Sequence, residues 1–257
     1  MYFNRYTIEA DTHCHTIASD HAYSTVSELA AYAAKIHLRA IAVTDHGPAM
    51  VDGAHEWHFG NLCVLPPYID GVRVLHGAEL NIVDFSGGVD LSDERLKQLD
   101  WVIASCHEPC LQPGTVEQHT QAYLGVAQNP YIDVIGHSGT ETFKYDYERL
   151  IPIFGQKDKL VEINAHSFGT RLGAAQNCIT IAKLCKKHGV RIVVNSDAHF
   201  CSSVGHLEPA TEMLASIDFP QELIVNRTLE TLADFIEKKA CTQHSLERFT
   251  RISNKDI

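Results

Sequence analysis

The sequence predicts one α/β domain whose parallel strands close into an irregular seven-stranded barrel. Two observations carry that expectation. Short apolar runs alternate with helix-length amphipathic segments along the whole chain, without a repeat or a low-complexity break. In addition, six of the seven expected strands run into a histidine or carboxylate cluster. In a parallel barrel the carboxyl ends of all strands converge on one mouth, whereas an open doubly wound sheet gathers its ligands at a single crevice. The chain has 257 residues and is 45% hydrophobic, enough for the core of one large domain. Residues 1–245 are expected to form that domain and 246–257 a polar C-terminal tail.

The first strand grows from the apolar run Tyr6-Thr7-Ile8 and ends at His13. Alternation along a strand puts Asp11, His13 and His15 on one face, and the following loop carries His21. Thr25-Val26-Ser27-Glu28 fits a capping box and opens the first helix. The second strand, Ala40 to Thr44, stops at Asp45-His46-Gly47-Pro48. The stretch from Pro48 to Gly71 is long and poorly periodic, as functional lids are, and contains His55 and His58. A third strand, Val72 to Leu75, leads through Gly77 to Glu79 and Asn81.

A short helix follows around Asp93 to Leu99, then a fourth strand from Trp101 to Ser105 that delivers His107. A helix over Thr115–Gln128 precedes the fifth strand, Ile132 to Ile135, which ends in Gly136-His137. A helix over Tyr145–Phe154 precedes the sixth strand, Leu160 to Ile163, which ends in Asn164-Ala165-His166-Ser167. The amphipathic helix Ala174–His188 closes on Gly189, the residue best suited to the left-handed position after a helix. The seventh strand, Arg191 to Val194, ends in Asn195-Ser196-Asp197-Ala198-His199, and two helices remain, Leu207–Ser216 and Leu229–Lys239.

Composition excludes several classes. No apolar run approaches the roughly 20 residues of a membrane span, and residues 1–12 lack the features of a signal peptide. The eight cysteines form no C-x-x-C pair and read as buried, reduced thiols of a cytoplasmic protein; Cys106 and Cys110 flank a histidine, which keeps thiolate ligation as a minor reading. A net charge of −11 without a lysine-rich run argues against a nucleic-acid or anionic-membrane surface.

The chemistry lies in the 16 histidines. The strand ends supply His13, His15, His46, Glu79, His107, His137, Asp197 and His199, and the first loop adds His21. Singly, each histidine reads best as a surface residue or a satisfied core residue. Jointly, neutral imidazoles stacked at one mouth would leave many buried nitrogens unpaired, and a metal cluster satisfies them. At about three protein ligands per ion, nine ligands imply three ions with open positions.

Four motifs in this order, Asp11-Thr12-His13-Cys14-His15, Thr44-Asp45-His46-Gly47-Pro48, Gly136-His137 and Ser196-Asp197-Ala198-His199, resemble those of the PHP (polymerase and histidinol phosphatase) metal-dependent phosphoesterases. Within that family, Trp57-His58-Phe59, His107-Glu108-Pro109, Asn164, Ser167-Phe168 and Asp218-Phe219-Pro220 look like the small single-domain bacterial phosphatases. The resemblance covers nearly the whole chain. It implies a distorted seven-stranded (β/α) barrel with a trinuclear site. His13, His15, Glu79 and Asp197 would hold one ion; His21, His46 and His199 a second; His107 and His137 a third, with Glu79 bridging it to the first.

The expected reaction is hydrolysis of a small phosphate monoester by a metal-activated water, with His13, His15, Glu79 and Asp197 as the activating set. Zinc is the first expectation for the three divalent ions, with manganese or iron as alternatives. Arg171, Asn164 and Ser167 are the candidate substrate-binding residues, Asp11 and Asp45 the candidate orienters of ligands, and His166, His55 and His58 the candidate proton donors. A phosphodiesterase or exonuclease of the same family is the alternative, and a non-catalytic metal-binding module a third reading. Oligomeric state and the identity of the substrate stay open.

Overall fold

A computed structural model of the chain describes residues 6–242; the tail expected at 246–257 lies outside them. The elements follow in the order β1 (Ala10–Cys14), α1 (Val26–Lys35), β2 (Ala40–Val43), α2 (Glu56–Asn61), β3 (Tyr68–Ile69), β4 (Val72–Asn81), α3 (Asp93–Leu96), β5 (Trp101–Ser105), α4 (Val116–Gln128), β6 (Val134–Ile135), α5 (Tyr147–Gln156), β7 (Leu160–Asn164), α6 (Ser167–Thr170), α7 (Ala174–His188), β8 (Ile192–Asn195), α8 (Glu208–Ser216) and α9 (Leu229–Thr242). Seven strands pair in parallel in the order β1-β2-β4-β5-β6-β7-β8, and β3 adds an antiparallel edge to β4. Helices cover the outside, so the strands are buried on both faces and read as continuous apolar runs.

The ladder does not run unbroken around the barrel. Between β1 and β8 the backbone makes the Cys14–Ala198 bridge, with His15 N donating to Ala198 O at 2.8 Å. Below that point side-chain amides stitch the seam. Asn195 Oδ1 accepts from Thr12 N (2.9 Å) and Thr12 Oγ1 (2.8 Å). Asn226 Nδ2 donates to Ala10 O (2.8 Å) and Val194 O (2.7 Å), and its Oδ1 accepts from Val194 N at 3.0 Å. Both asparagines are fully buried and satisfy strand groups that a missing ladder would leave unpaired.

Inside the barrel Leu75, Trp101, Ile103, Leu160 and Val193 form an inner cluster with Phe235 and Ile236 of α9. Along their strands Leu75, Leu160 and Val193 share a face with Glu79, Glu162 and Asn195. The apolar layer therefore lies beneath the polar one, and α9 plugs the foot of the barrel. A larger cluster fills the space between the sheet and α4, α5, α7 and α8.

The sequence departs from the structure in four places. β1 starts at Ala10 and ends at Cys14 rather than growing from Tyr6-Thr7-Ile8, while Tyr6 is anchored by its hydroxyl on Phe219 O (2.8 Å). β4 continues without a break to Asn81, because Gly77 allows it to pass β5 closely; a Cβ there would lie 2.7 Å from Trp101 O. The stretch 48–71 is not structureless: it holds α2 and a hairpin, β3 to β4, turned by Asp70 (φ 50°) and Gly71 (φ 80°). Finally, the short α6 was not expected.

Candidate metal centre

All nine expected ligands gather at one end of the barrel, around the buried carboxylate of Glu79. Glu79 Oε1 lies 2.8 Å from His137 Nε2 and 3.5 Å from His107 Nε2. Its Oε2 lies 2.8 Å from His46 Nδ1, 3.4 Å from His13 Nε2 and 3.5 Å from His15 Nε2. Asp197, in the left-handed region at φ 57°, turns its Oδ1 to within 3.2 Å of His15 Nε2 and 3.6 Å of His13 Nε2. His199 and His21 meet at 2.9 Å between their Nε2 atoms, and His107 and His137 at 3.2 Å between theirs.

Four of the imidazoles are oriented from outside. His13 Nδ1 donates to Glu162 Oε1 (2.7 Å), His107 Nδ1 to Asn81 Oδ1 (2.7 Å), His199 Nδ1 to the backbone carbonyl of Asp197 (2.9 Å) and His21 Nδ1 to Asp52. Each acceptor fixes the proton on Nδ1 and leaves the Nε2 lone pair facing inward. Two facing lone pairs repel unless a cation lies between them. The 2.9 Å approach of His21 and His199, both fixed in this way, is close to the separation of roughly 3.3 Å between two nitrogens on one tetrahedral zinc. His13 Nε2, His15 Nε2 and Glu79 Oε2 are buried without a hydrogen bond among the described residues. Donor chemistry and orientation thus fit divalent cations.

Three sets bring ligand atoms within 4.8 Å of one another: His13, His15 and Asp197; His15, His46 and His199; His46, Glu79 and His107. The first lies within the set that the resemblance assigns to one ion. His21 pairs with His199, and His137 with Glu79 and His107, at the distances given above.

Charge follows from burial and neighbours. Burial, then the like charge of His46, pulls His15 down to about 3; burial, then Arg171, pulls His137 down to about 4. Burial would raise Asp197, but His13, the hydrogen bond from His15, and Arg171 hold it well below the usual carboxylate range. Glu79 is held down in the same way by His13, His107 and His46. Burial would lower His13 and His46, but Glu162, Glu79 and Asp197 raise the first well above its usual value and Glu79 and Asp197 raise the second, so a cation bound at those two imidazoles would displace a proton.

Around the ligands, two carboxylates that the sequence reading left without a role stand out. Glu162 carries His13 and also accepts from the backbone N of His137 at 2.7 Å, so one side chain positions two ligands. Its signal was there: a charged residue in the middle of the doubly buried strand Leu160–Asn164 needs a partner. Asp52, on the 48–71 stretch, holds His21. Asp11 binds Ser196 and Gly205 N, so it fixes the loop carrying Asp197 and His199 and orients no histidine directly. Asp45 accepts from Thr16 and Ser19 and faces His58 Nε2 at 3.1 Å.

A cavity of about 1030 Å³ opens above the ligands, and Arg171 and His166 line it. Arg171 extends from the end of α6 to Asp197 Oδ2, at 3.2 Å from both terminal nitrogens, and to Ser167 Oγ at 3.0 Å. Asn164 and Ser167 are buried beneath it. Asn164 donates to Asp197 Oδ2 (3.2 Å) and accepts from Ser167 N and Oγ, both at 3.0 Å. His58 is engaged with Asp45, and His55 caps α2 by accepting from Trp57 N, so of the three candidate proton donors His166 is the one at the cavity. Cys106 and Cys110 join none of the ligand sets; burial pushes their thiols up to about 12 and about 11.

The model of the PHP domain family matches residues 11–166. A probable phosphatase of Acetivibrio thermocellus is 46% identical over 229 residues, covering 89% of this chain and 95% of that protein. The chain belongs to the PHP domain family. A probable phosphatase of Clostridium novyi is 47% identical over 230 residues, covering 89% of the PHP chain and 94% of its relative. In three dimensions the PHP barrel is similar to the histidinol phosphate phosphatase of Lactococcus lactis, solved with zinc, L-histidinol and phosphate; the TM-score is 0.55 at 18% identity, over 83% of this chain and 95% of that one.

Proposed function

We propose that this PHP domain protein is a metal-dependent phosphatase that hydrolyses small phosphate monoesters. The observation that carries the reading is the gathering of seven imidazoles around Glu79 and Asp197, four of them, His13, His21, His107 and His199, with the Nδ1 proton fixed by an outside acceptor and Nε2 turned inward. The ligand sets proposed are His13, His15, Glu79 and Asp197 for one ion, His21, His46 and His199 for a second, and His107 and His137 with bridging Glu79 for a third. Zinc is the first candidate, in keeping with its presence in the fold neighbour, and manganese and iron suit the same donors. Bound there, divalent ions would supply Lewis acidity toward the phosphoryl oxygens and a water acidic enough to act as a nucleophile near neutral pH.

The chain's own residues do the rest. Arg171, already beside Asp197 and at the cavity wall, offers its remaining N–H groups to a phosphoryl oxygen. Asn164 and Ser167 hold Asp197 and Arg171 in place from beneath. His166 is placed to give a proton to the leaving oxygen. Among the described residues no helix is long and apolar enough to cross a membrane, and the seven cysteines whose side chains are described are free thiols, in keeping with a cytoplasmic setting.

A panel of a phosphomonoester, a phosphodiester and single-stranded DNA, each with added zinc or manganese and a chelated control, tests the reading. Phosphate release from the monoester that chelation abolishes is expected. Faster cleavage of the diester or the DNA would replace it with the nuclease reading, and no turnover of any substrate by metal-loaded protein would leave a binding module.

A further inference from the structure

At the foot of the barrel, opposite the metal centre, a second cavity of about 640 Å³ is lined by Lys157, Lys159, Arg191, Lys238 and Lys239, and by two carboxylates, Asp133 and Asp158. Those five cations come from three separate stretches: the turn from α5 into β7, the start of β8, and α9. In a chain with 21 Lys and Arg against 32 Asp and Glu, almost a quarter of all basic residues face this one hollow. The cavity above the metal ligands is lined by a single one, Arg171.

The two carboxylates are already engaged. Asp133 Oδ2 accepts from Lys239 Nζ at 2.6 Å and from Val102 N at 2.8 Å, and Asp158 faces Arg191 at 3.3 Å. Arg191 also sits over Phe235, 4.9 Å from the ring centre, which holds its guanidinium at the wall. Lys159 is the best evidence of a built site. It is 5% exposed, and its Nζ is held by the carbonyls of Asn129 and Ile132, both at 2.6 Å. Two carbonyls take two of its three N–H groups and cancel none of its charge. Burial pulls its ammonium down to about 8 despite Asp133, as expected of a cation short of negative charge.

We propose that this foot cavity binds a small polyanion carrying several phosphate-like groups, at a site separate from the metal centre. The buried ammonium of Lys159 and the guanidinium of Arg191 would hold one anionic group, while the exposed Lys157 at the rim takes another.

The test is calorimetric titration of the metal-loaded enzyme with inositol hexasulfate, a polyanion without a phosphoester to hydrolyse. One equivalent should bind, and more weakly as salt rises. Reversing the rim charge, Lys157→Glu, should lower the affinity about tenfold or more while hydrolysis of a small monoester stays unchanged. Arg171→Ala should leave the binding intact. Absence of binding would overturn the proposal. So would binding that survives the rim reversal and disappears in Arg171→Ala, since the polyanion would then occupy the cavity above the ligands.

Discussion

Arg171 and Asp197 form an ion pair at 3.2 Å at the edge of the candidate metal centre, the arginine 24% exposed and the aspartate buried. The arginine therefore both balances the buried Asp197 carboxylate and faces the cavity. Arg171→Ala should raise KM for a small phosphomonoester about tenfold or more with kcat little changed, the effect of losing one charge-assisted contact of about 1.5–3 kcal/mol made equally in ground and transition states. Metal content should not fall, because Asp197 is freed rather than lost. Steady-state kinetics with elemental analysis checks both, and an unchanged KM would place substrate phosphate on the metals and backbone alone.

Glu162→Gln should weaken metal binding roughly 10- to 100-fold while leaving the fold intact. The amide keeps the size of the carboxylate and can still accept from His137 N, but it removes the charge that holds His13. Competition against a chelator of known affinity measures the loss. An unchanged metal affinity would mean that the Glu162–His13 contact is structural.

His21→Ala should cost one ion and most of the activity. The side chain is 43% exposed and lies in a loop, so its removal opens no core cavity. Elemental analysis should fall from about three ions per chain to about two, and the melting temperature of the chelated variant should match that of the chelated parent. Full metal content and full rate would make His21 a bystander.

Chelation should both inactivate and destabilise. Ions that bind the folded chain alone add RT ln(1 + [L]/Kd), about 2.7 kcal/mol for a single site at a hundred times its Kd. Differential scanning calorimetry with and without chelator should show a lower Tm that recovers on adding zinc or manganese. A Tm indifferent to chelation would argue against resident ions.

Much of the candidate site could be read from the chain because its candidate ligands follow strand ends, and strand ends are marked by apolar runs that stop. That rule found His46, His107, His137 and His199 directly. It failed where polarity sits inside a strand. β1 was expected to grow from Tyr6-Thr7-Ile8 and end at His13, whereas the strand starts at Ala10 and runs one residue further, to Cys14. Glu162, in the middle of β7, was passed over. The hairpin at Asp70-Gly71 was readable, since Asp-Gly between β-formers is a strong turn signal, but the neighbouring Pro66-Pro67 and short β3 masked it. Partners such as Asp52 for His21, or Asp45 for His58, depend on how one loop lies over another, which spacing does not encode.

The amide-stitched seam between β1 and β8 also bears on how the chain comes to be folded. Thr12 and Asn195 are 183 positions apart, and the contact between them closes the barrel. During synthesis β1 emerges first and must wait for almost the whole chain before its partner exists. Closing so long a loop carries a high entropic cost that local contacts do not offset, so the seam belongs to the late, slow part of folding. Asn195 also donates to Glu162 at 2.9 Å, and Glu162 orients His13. The complete ligand set therefore comes into being only when the last strand docks, and a chain cut before β8 would hold most of the histidines without the geometry to use them.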